Sequence, residues 1–359
     1  MFFTIGTNID TKFPNNHFID ELWINLDNGW ARGGSTFFKG YQDNFCKIIV
    51  DSAGARIEHS INRSFPLWCE HGSISNLNPT ATQVWSDDTV RIDSLGRITL
   101  GKLDIDLTMP TEVLTVQQAV DRIGQILDSK LNAVPYGVKL FCSGGVDTLL
   151  LYSMLPEFEL VTEEHFDPDQ FTDANKSSLQ QFWSYNQIHH WTSPTWLATG
   201  SHGDEYFLRG PAAISMLTAW HNINFAQLLA ENPNCYHYHH FGKYSDLWNS
   251  SWENRHQLQQ AYPTIEDLNR QILNMLVNDY QHWHLGNTLT WTPFKDLEIA
   301  KILLQCPVQE LIPQFLDAKI SKDLIVAYNP QIVGCVSKYK NHNSSENIPK
   351  LVEYYRDFG

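Results

Sequence analysis

Residues 138–148 read VKLFCSGGVDT, and this stretch decides the architecture of the second half of the chain. Its first five residues are mostly apolar and are typical of a buried strand, and an apolar helix is predicted to begin near Thr148. Between them, Gly144 and Gly145 allow backbone N–H groups to approach an anion without an intervening side chain. A helix that starts after such a turn adds its own N–H groups and the positive end of its dipole. The stretch therefore predicts a strand, turn and helix that bind phosphate.

Strands and helices alternate around this turn. The predicted strands are 138–142, 159–162 and 195–199, and the predicted helices are 116–131 with Thr115 as its cap, 148–155 and 177–188. Such alternation is typical of an α/β fold in which a parallel sheet carries helices on both faces. From residue 211 onward the pattern is mainly helical, and residues 265–283 form the longest candidate helix.

The first part of the chain has a different pattern. Short runs of alternating apolar and polar residues are separated by turn signals, and residues 47–50 with 56–59 and 90–92 with 98–100 predict two hairpins. A break at Met109-Pro110-Thr111 ends this pattern. We therefore expect a mainly β domain over residues 1–112 and an α/β domain over residues 113–359.

Composition narrows the possible partners. The chain has 25 basic and 40 acidic residues, a net charge of -15, which repels the backbone of long nucleic acids. Six scattered cysteines without a CxxC pair favour a reduced, cytoplasmic setting. The amino end has no cationic segment before its short apolar run, and no segment approaches the roughly 20 apolar residues of a membrane span. We expect a cytoplasmic protein with no membrane partner.

The turn at residues 143–148 differs from two common phosphate loops. It lacks the Gly-Lys-Ser/Thr ending of the Walker motif and the third glycine of the dinucleotide fingerprint. Its pattern, Ser-Gly-Gly-x-Asp-Ser/Thr, resembles the PP-loop ATP pyrophosphatases, and the resemblance implies ATP and Mg²⁺ as cofactors. It also implies that the metal is held by Asp147 and that pyrophosphate is bound by Ser143, Gly144, Gly145, Val146 and Thr148. A tight turn capped by Ser143 is the alternative, which explains the glycines but not Asp147 together with Thr148.

A second glycine-rich loop follows the third predicted strand. Residues 199–207 read TGSHGDEYF, which places Gly200, Asp204 and Glu205 after the carboxyl end of a strand. Open α/β sheets bind their ligands at that edge. Because Mg²⁺ prefers a few carboxylates together with phosphate oxygens, Asp147 and Asp204 are predicted to share one metal site.

Two further polar side chains belong to this loop region. His202 lies inside the loop, where it can come near a phosphate or an acceptor. Arg209 follows Glu205 by four residues, and the spacing leaves two interpretations open. Arg209 either reaches a phosphate or forms an ion pair with Glu205 on the same helix.

The second loop and a later segment resemble the asparagine synthetase family. The family pattern Ser-Gly-x-Gly-x-Asp-Glu-x-Phe corresponds to residues 199–207, with the spacing of its glycines changed, and the family segment Pro-Phe-Leu-Asp corresponds to residues 291–296, WTPFKD. The resemblance covers roughly residues 117–340 and implies that Asp204 and Glu205 belong to the catalytic site. It also implies a lysine that neutralises charge on the reacting phosphate or carbonyl, with Lys338 preferred and Lys340 as the reserve.

Departures from the family change the expected reaction. Phe2 stands where glutaminase members have a cysteine, so the first domain resembles a reduced glutaminase-like domain without glutaminase activity. Leu289 and Trp291 replace a glutamate and an arginine, and the interval between the two loops is short, which argues against asparagine formation. The resemblance therefore implies an ATP-dependent, AMP-forming ligase. Such an enzyme adenylates a carboxylate or amide oxygen of a small molecule or peptide and then transfers the activated group to an amine or ammonia. A catalytically silent nucleotide-binding relative that acts in assembly is the alternative, and the oligomeric state is open.

Overall fold

A computed structural model describes part of the chain, and the structural statements below concern that part. The described residues are 3–6, 22–25, 35–41, 44–51, 54–59, 67–70, 73–75, 82–84, 88–93, 97–132, 134, 137–141, 145–161, 195–200, 202–235, 237–238, 241–277 and 288–330. Ser143, Gly144, Lys338 and Lys340 lie outside these residues, as does the predicted helix at 177–188.

Two five-stranded sheets occupy the described residues up to 102. Their strands are β1 (Phe3–Gly6), β2 (Leu22–Asn25), β3 (Ser35–Tyr41), β4 (Asn44–Asp51), β5 (Gly54–His59), β6 (Leu67–Glu70), β7 (Ser73–Ser75), β8 (Thr82–Val84), β9 (Asp88–Asp93) and β10 (Ile98–Lys102). The strand orders are β2-β1-β7-β6-β8 and β10-β9-β5-β4-β3. Both predicted hairpins are confirmed, because β4 pairs antiparallel with β5 and β9 with β10.

The second of these sheets shows why its strands form. In β9, Val90 and Ile92 are buried while Arg91 between them is exposed, and in β5 Ile57 is buried while Arg56 is exposed. Side chains of a strand point alternately to opposite faces, so this sequence alternation gives the sheet one apolar face. Ile57 pairs with Val90 in the register, which brings the apolar residues of two strands to the same face.

A four-stranded parallel sheet lies in the second half of the chain. Its order is β12-β11-β13-β14, and its strands are β11 (Lys139–Phe141), β12 (Glu159–Val161), β13 (Thr195–Ala198) and β14 (Thr288–Trp291). All three pairings are parallel. The sequence pattern predicted β11, β12 and β13 but not β14, which lies in a region interpreted as mainly helical. Parallel strands end at one edge of a sheet, so the described residues that follow them, Gly145, Thr199 and Thr292, lie toward that edge.

The helices follow the apolar patterns of the sequence. They are α1 (Val116–Leu131), α2 (Val146–Met154), α3 (Gly203–Tyr206), α4 (Pro211–Trp220), α5 (Phe225–Glu231), α6 (Phe241–Glu253), α7 (Arg255–Ala261), α8 (Ile265–Val277), α9 (Leu297–Leu304), α10 (Val308–Asp317) and α11 (Lys319–Tyr328). The predicted bounds of α1 are confirmed, and its cap is Thr115, which forms a capping box with Gln118. The predicted helix at 265–283 is confirmed as far as Val277, where the described segment ends. No described helix is both long and apolar enough to cross a membrane.

Helix α2 is the central helix of the parallel-sheet region. Leu149, Leu150 and Leu151 are all buried, and the helix contacts both β11 and α11. A helix that buries most of its side chains requires packing partners, which β11 and α11 supply. The helix begins at Val146, two residues earlier than predicted, because Gly145 already has the extended backbone of a helix cap. This packing fixes the position of Asp147 in the first turn of α2.

Candidate functional site

The first loop of the site leads into α2. Gly145 caps the helix with φ -77° and ψ 157°, and Val146 and Thr148 are buried in its first turn. The Asp147 side chain points to a partly open surface, where 14% of it is exposed. N–H groups in the first turn of a helix have no partners within the helix, so this end of α2 is suited to bind an anion.

The second loop leaves the neighbouring strand β13. The Thr199 N–H donates a hydrogen bond to the Trp291 carbonyl at 3.1 Å, which holds the end of β13 against β14. The Gly203 N–H donates to the Gly200 carbonyl at 3.1 Å and closes a turn in which His202 has a left-handed backbone, with φ 66°. A left-handed conformation is costly for a residue other than glycine, so the surrounding contacts must hold this turn in place.

The second loop contacts the start of α2 at two glycine positions. A Cβ atom at Gly200 would lie 2.8 Å from Asp147 Cβ and 3.0 Å from the Thr148 nitrogen. A Cβ atom at Gly203 would collide with the carboxyl group of Asp147. Both glycines are therefore required for close approach of the second loop to α2. Gly200 is one of the residues predicted to bind the cofactor, and the structure places it against Asp147 and Thr148.

Arg209 links the start of α2 to the second loop. Its side chain is completely buried, and its guanidinium forms one ion pair with Asp147 and a second with Asp204 at 2.8 Å. The backbone turns sharply before it, because Leu208 has φ 55°, and the N–H groups of Arg209 and Gly210 both donate to the Asp204 carbonyl, at 2.6 and 2.7 Å. The structure thus brings Asp147 and Asp204 to one guanidinium, as their places after neighbouring parallel strands predict.

The role of Arg209 could not be chosen from sequence. Its spacing from Glu205 suggested an ion pair within one helix, whereas the observed partners include Asp147, which is 62 residues away. The sequence around Arg209 contains one local indication that this arginine is buried and paired. Arg209 lies between the apolar pair Phe207-Leu208 and Gly210-Pro211, and an arginine is rarely buried in such a stretch unless an acidic group pairs with it.

The cluster of Asp147, Asp204 and Arg209 contains more negative than positive charge. Two carboxylates share one guanidinium, and burial raises the pKa of the Asp147 carboxyl to about 6, with the nearby Asp204 charge adding to the effect and Arg209 opposing it. The Asp204 side chain is 52% exposed, so water reaches this carboxylate far more easily than it reaches Asp147. The open side of the cluster is therefore the side of Asp204.

The two carboxylates are candidate ligands for a divalent ion. Among the described residues, no group of three or more His, Cys, Asp or Glu side chains is placed to hold a metal by itself. Mg²⁺ commonly takes only one or two carboxylates and completes its shell with water and phosphate oxygens. Asp147 and Asp204 converge on one cation, Arg209, so their positions suit a shared divalent ion as well.

The segment that resembles Pro-Phe-Leu-Asp supports the second loop. Phe294 packs edge to face against Phe207, with ring centroids 5.6 Å apart, and Asp296 caps α9 through the Glu298 N–H. Lys295, at the position of the family's leucine, is buried. A buried lysine just beyond β14 was not recognised as a candidate from sequence. Glu205, predicted as catalytic, lies half-buried in α3.

Comparisons with known proteins leave the family open. No protein-family model matches the chain, and no curated protein matches it. The resemblance to the asparagine synthetase family therefore remains a prediction from the motifs.

Proposed function

We propose that the α/β part of the chain is a PP-loop synthetase domain that binds ATP and cleaves it to AMP and pyrophosphate. One observation carries this proposal: Asp147, in the first turn of the helix that follows β11, and Asp204, in the short helix that follows β13, both pair with a single buried guanidinium. Neighbouring loops at the carboxyl edge of such a sheet are the usual ligand site. The helix start at Gly145 and Val146 supports phosphate binding at the same edge.

Different residues of the chain have different roles in the proposed reaction. The amino end of α2, with Gly145, Val146 and Thr148, binds the pyrophosphate part of ATP, and the motif resemblance adds Ser143 and Gly144. Asp147 and Asp204 would hold Mg²⁺, which supplies neutralisation of the departing pyrophosphate when it is bound. A fixed cation near the α-phosphate, for which Lys338 is the candidate, would stabilise charge that develops during transfer.

The proposed reaction has two steps. A carboxylate or amide oxygen of the acceptor attacks the α-phosphorus, and the bond to the bridging oxygen breaks so that pyrophosphate leaves. An amine or ammonia then attacks the activated carbon, and AMP departs with the bonding electrons. The acceptor we propose is a small molecule or a peptide, because the net charge of -15 disfavours long nucleic acids. The scattered cysteines support a cytoplasmic location.

A second candidate is a silent relative that binds nucleotide without turning it over. Arg209 favours this candidate, because the guanidinium already pairs with both aspartates where the metal is expected. The two candidates differ in pyrophosphate exchange. Labelled pyrophosphate enters ATP only when an acceptor is adenylated reversibly, so exchange with Mg²⁺ and a panel of carboxylic acids and amides identifies the enzyme.

Nucleotide binding is the first test. We expect Mg·ATP to bind the full chain in isothermal titration, and Asp147→Asn and Asp204→Asn each to weaken binding by about tenfold or more, since a charged ligand of the metal is lost. Asp93→Asn is the matched control, because Asp93 also pairs with an arginine, Arg97 at 2.6 Å, on a surface hairpin. Absence of Mg·ATP binding to the wild-type chain contradicts the proposal.

A further inference from the structure

The two ion pairs of Arg209 differ in how far water reaches the carboxylate. The guanidinium and the Asp147 carboxylate are both shielded from water, whereas more than half of the Asp204 side chain is exposed. A pair that is shielded from water is screened little, while water and ions compete directly for an exposed carboxylate. Asp204 is therefore the partner that Arg209 gives up more easily.

A divalent ion and the guanidinium compete for the same two carboxylates. The guanidinium contacts Oδ1 of Asp147 and Oδ1 of Asp204, so it lies between the two carboxylates. A cation placed between the two acids would occupy the position of the guanidinium and would repel its positive charge. With Arg209 in place, the three charges sum to about -1 when both acids are ionised, and without it the acids present -2 to a metal.

We propose that Arg209 is a built-in counter-ion that competes with the divalent cation for the Asp147 and Asp204 carboxylates. In the absence of nucleotide, the arginine neutralises part of the charge of the acid pair, so the site binds free Mg²⁺ weakly. The polyphosphate of a nucleotide supplies the extra negative charge and oxygen ligands that allow the metal to enter. This inference rests on the proposed function for the identity of the nucleotide, but the competition itself is a property of the nucleotide-free protein.

The backbone around Arg209 supports a dedicated role. Left-handed Leu208 and the two hydrogen bonds to the Asp204 carbonyl fix the chain so that the residue after Leu208 points back toward its own acidic loop. Gly200 and Gly203 allow that loop to approach Asp147 closely enough for one side chain to reach both acids. The same construction places the competing cation and both carboxylates within one small cluster.

Binding of Mn²⁺ without nucleotide tests the competition. Free Mn²⁺ is measured by electron paramagnetic resonance as the protein is added, using wild type, Arg209→Gln, Arg209→Lys and the control Arg122→Gln, whose arginine pairs with Glu112 on the surface at 2.9 Å. We expect Arg209→Gln to bind Mn²⁺ about tenfold more tightly than wild type, because one charge-assisted pair no longer competes. Arg209→Lys is expected to lie between them, and Arg122→Gln to match wild type.

A purely structural arginine gives the opposite result. If Arg209 only held the loops together, its loss would loosen the acid pair and Mn²⁺ affinity would fall or stay unchanged, and that outcome overturns the proposal. Should Arg209→Gln fail to fold by circular dichroism, Arg209→Lys and Asp204→Asn decide: the first is expected to gain Mn²⁺ affinity and the second to lose it. An Arg209→Lys variant that folds without any gain overturns the proposal as well.

The nucleotide provides a separate measurement. In wild type we expect Mg·ATP to bind although Mn²⁺ alone binds weakly, so metal and nucleotide are strongly coupled, and the coupling is expected to decrease in Arg209→Gln. If wild type does not bind Mg·ATP, the proposed function fails while the Mn²⁺ comparison still tests Arg209. If Mg·ATP binds and the Mn²⁺ affinities are equal, the competition fails and the proposed function stands.

Discussion

At the scale of single residues, Gly203 decides how closely the two loops of the site approach. Any side chain there would meet the carboxyl group of Asp147, which cannot move away without breaking its pair with Arg209. The glycine is therefore needed for space, although its own backbone lies within α3. The contact also explains why the second loop carries a glycine immediately before Asp204.

We expect Gly203→Ala to weaken Mg·ATP binding by about tenfold and to lower the free energy of unfolding by about 1–3 kcal/mol, the usual range for overpacking. Gly124→Ala is the control, because a Cβ at Gly124 in α1 would make only an ordinary contact, 3.8 Å from Leu324. That variant should be neutral or more stable, since alanine favours a helix interior. Equal effects of the two substitutions in titration and urea unfolding would show that the close approach is not needed.

Asp147 gives a residue-scale prediction on pH. Its ordinary pKa is 3.8 and burial raises it to about 6, so between these pH values the folded state holds a proton more strongly than the unfolded state. The stability from this group is present at low pH and is lost as pH rises through about 6. Asp147→Asn cannot titrate, so without Mg²⁺ its unfolding free energy should fall less than that of wild type from pH 4 to 6. Parallel urea-unfolding curves for the two proteins across this range would contradict the pKa shift.

At the scale of elements, α1 illustrates a helix whose start is written in its own sequence. The Thr115 hydroxyl accepts from the Gln118 N–H at 3.3 Å, while the Gln118 side chain accepts from the Thr115 N–H at 2.9 Å. This reciprocal pair satisfies two N–H groups that the helix leaves open. The apolar residues Ala119, Val120, Ile123 and Leu127 then face the core.

Thr115→Ala removes this cap and should lower the free energy of unfolding by about 1 kcal/mol. Thr115→Ser keeps a hydroxyl in the same place and is expected to retain most of the stability. Because α1 packs against α9 and α11 and not at the carboxyl edge of β11, Mg·ATP affinity should be unchanged in both variants. Chemical denaturation and titration of the same samples measure the two effects, and a stable Thr115→Ala protein would show that the cap is dispensable.

At the scale of the whole molecule, strand order creates the candidate site. Strand β13 pairs with β11 although roughly fifty residues separate them in the sequence, and β14 joins from about ninety residues farther on. These parallel pairings place Asp147, the acidic loop and Lys295 after strands of one sheet. Formation of the site therefore requires the tertiary fold of the sheet, and variants that disturb it should lose nucleotide binding and stability together.

The sequence by itself determined the local elements. Helical spacing and a capping pair located α1, alternation with turn residues located both hairpins, and the glycines beside Asp147 and Asp204 marked the two loops. These patterns are local, because backbone preference and the direction of neighbouring side chains act over a few residues. Only the tertiary structure decided that residues 288–291 form an edge strand and that Arg209 pairs with a distant aspartate. It also decided that burial raises the pKa of the Asp147 carboxyl. Each of these outcomes depends on residues far away in the chain, which pair with the strand or side chain and exclude water from it. No local sequence pattern encodes such distant partners.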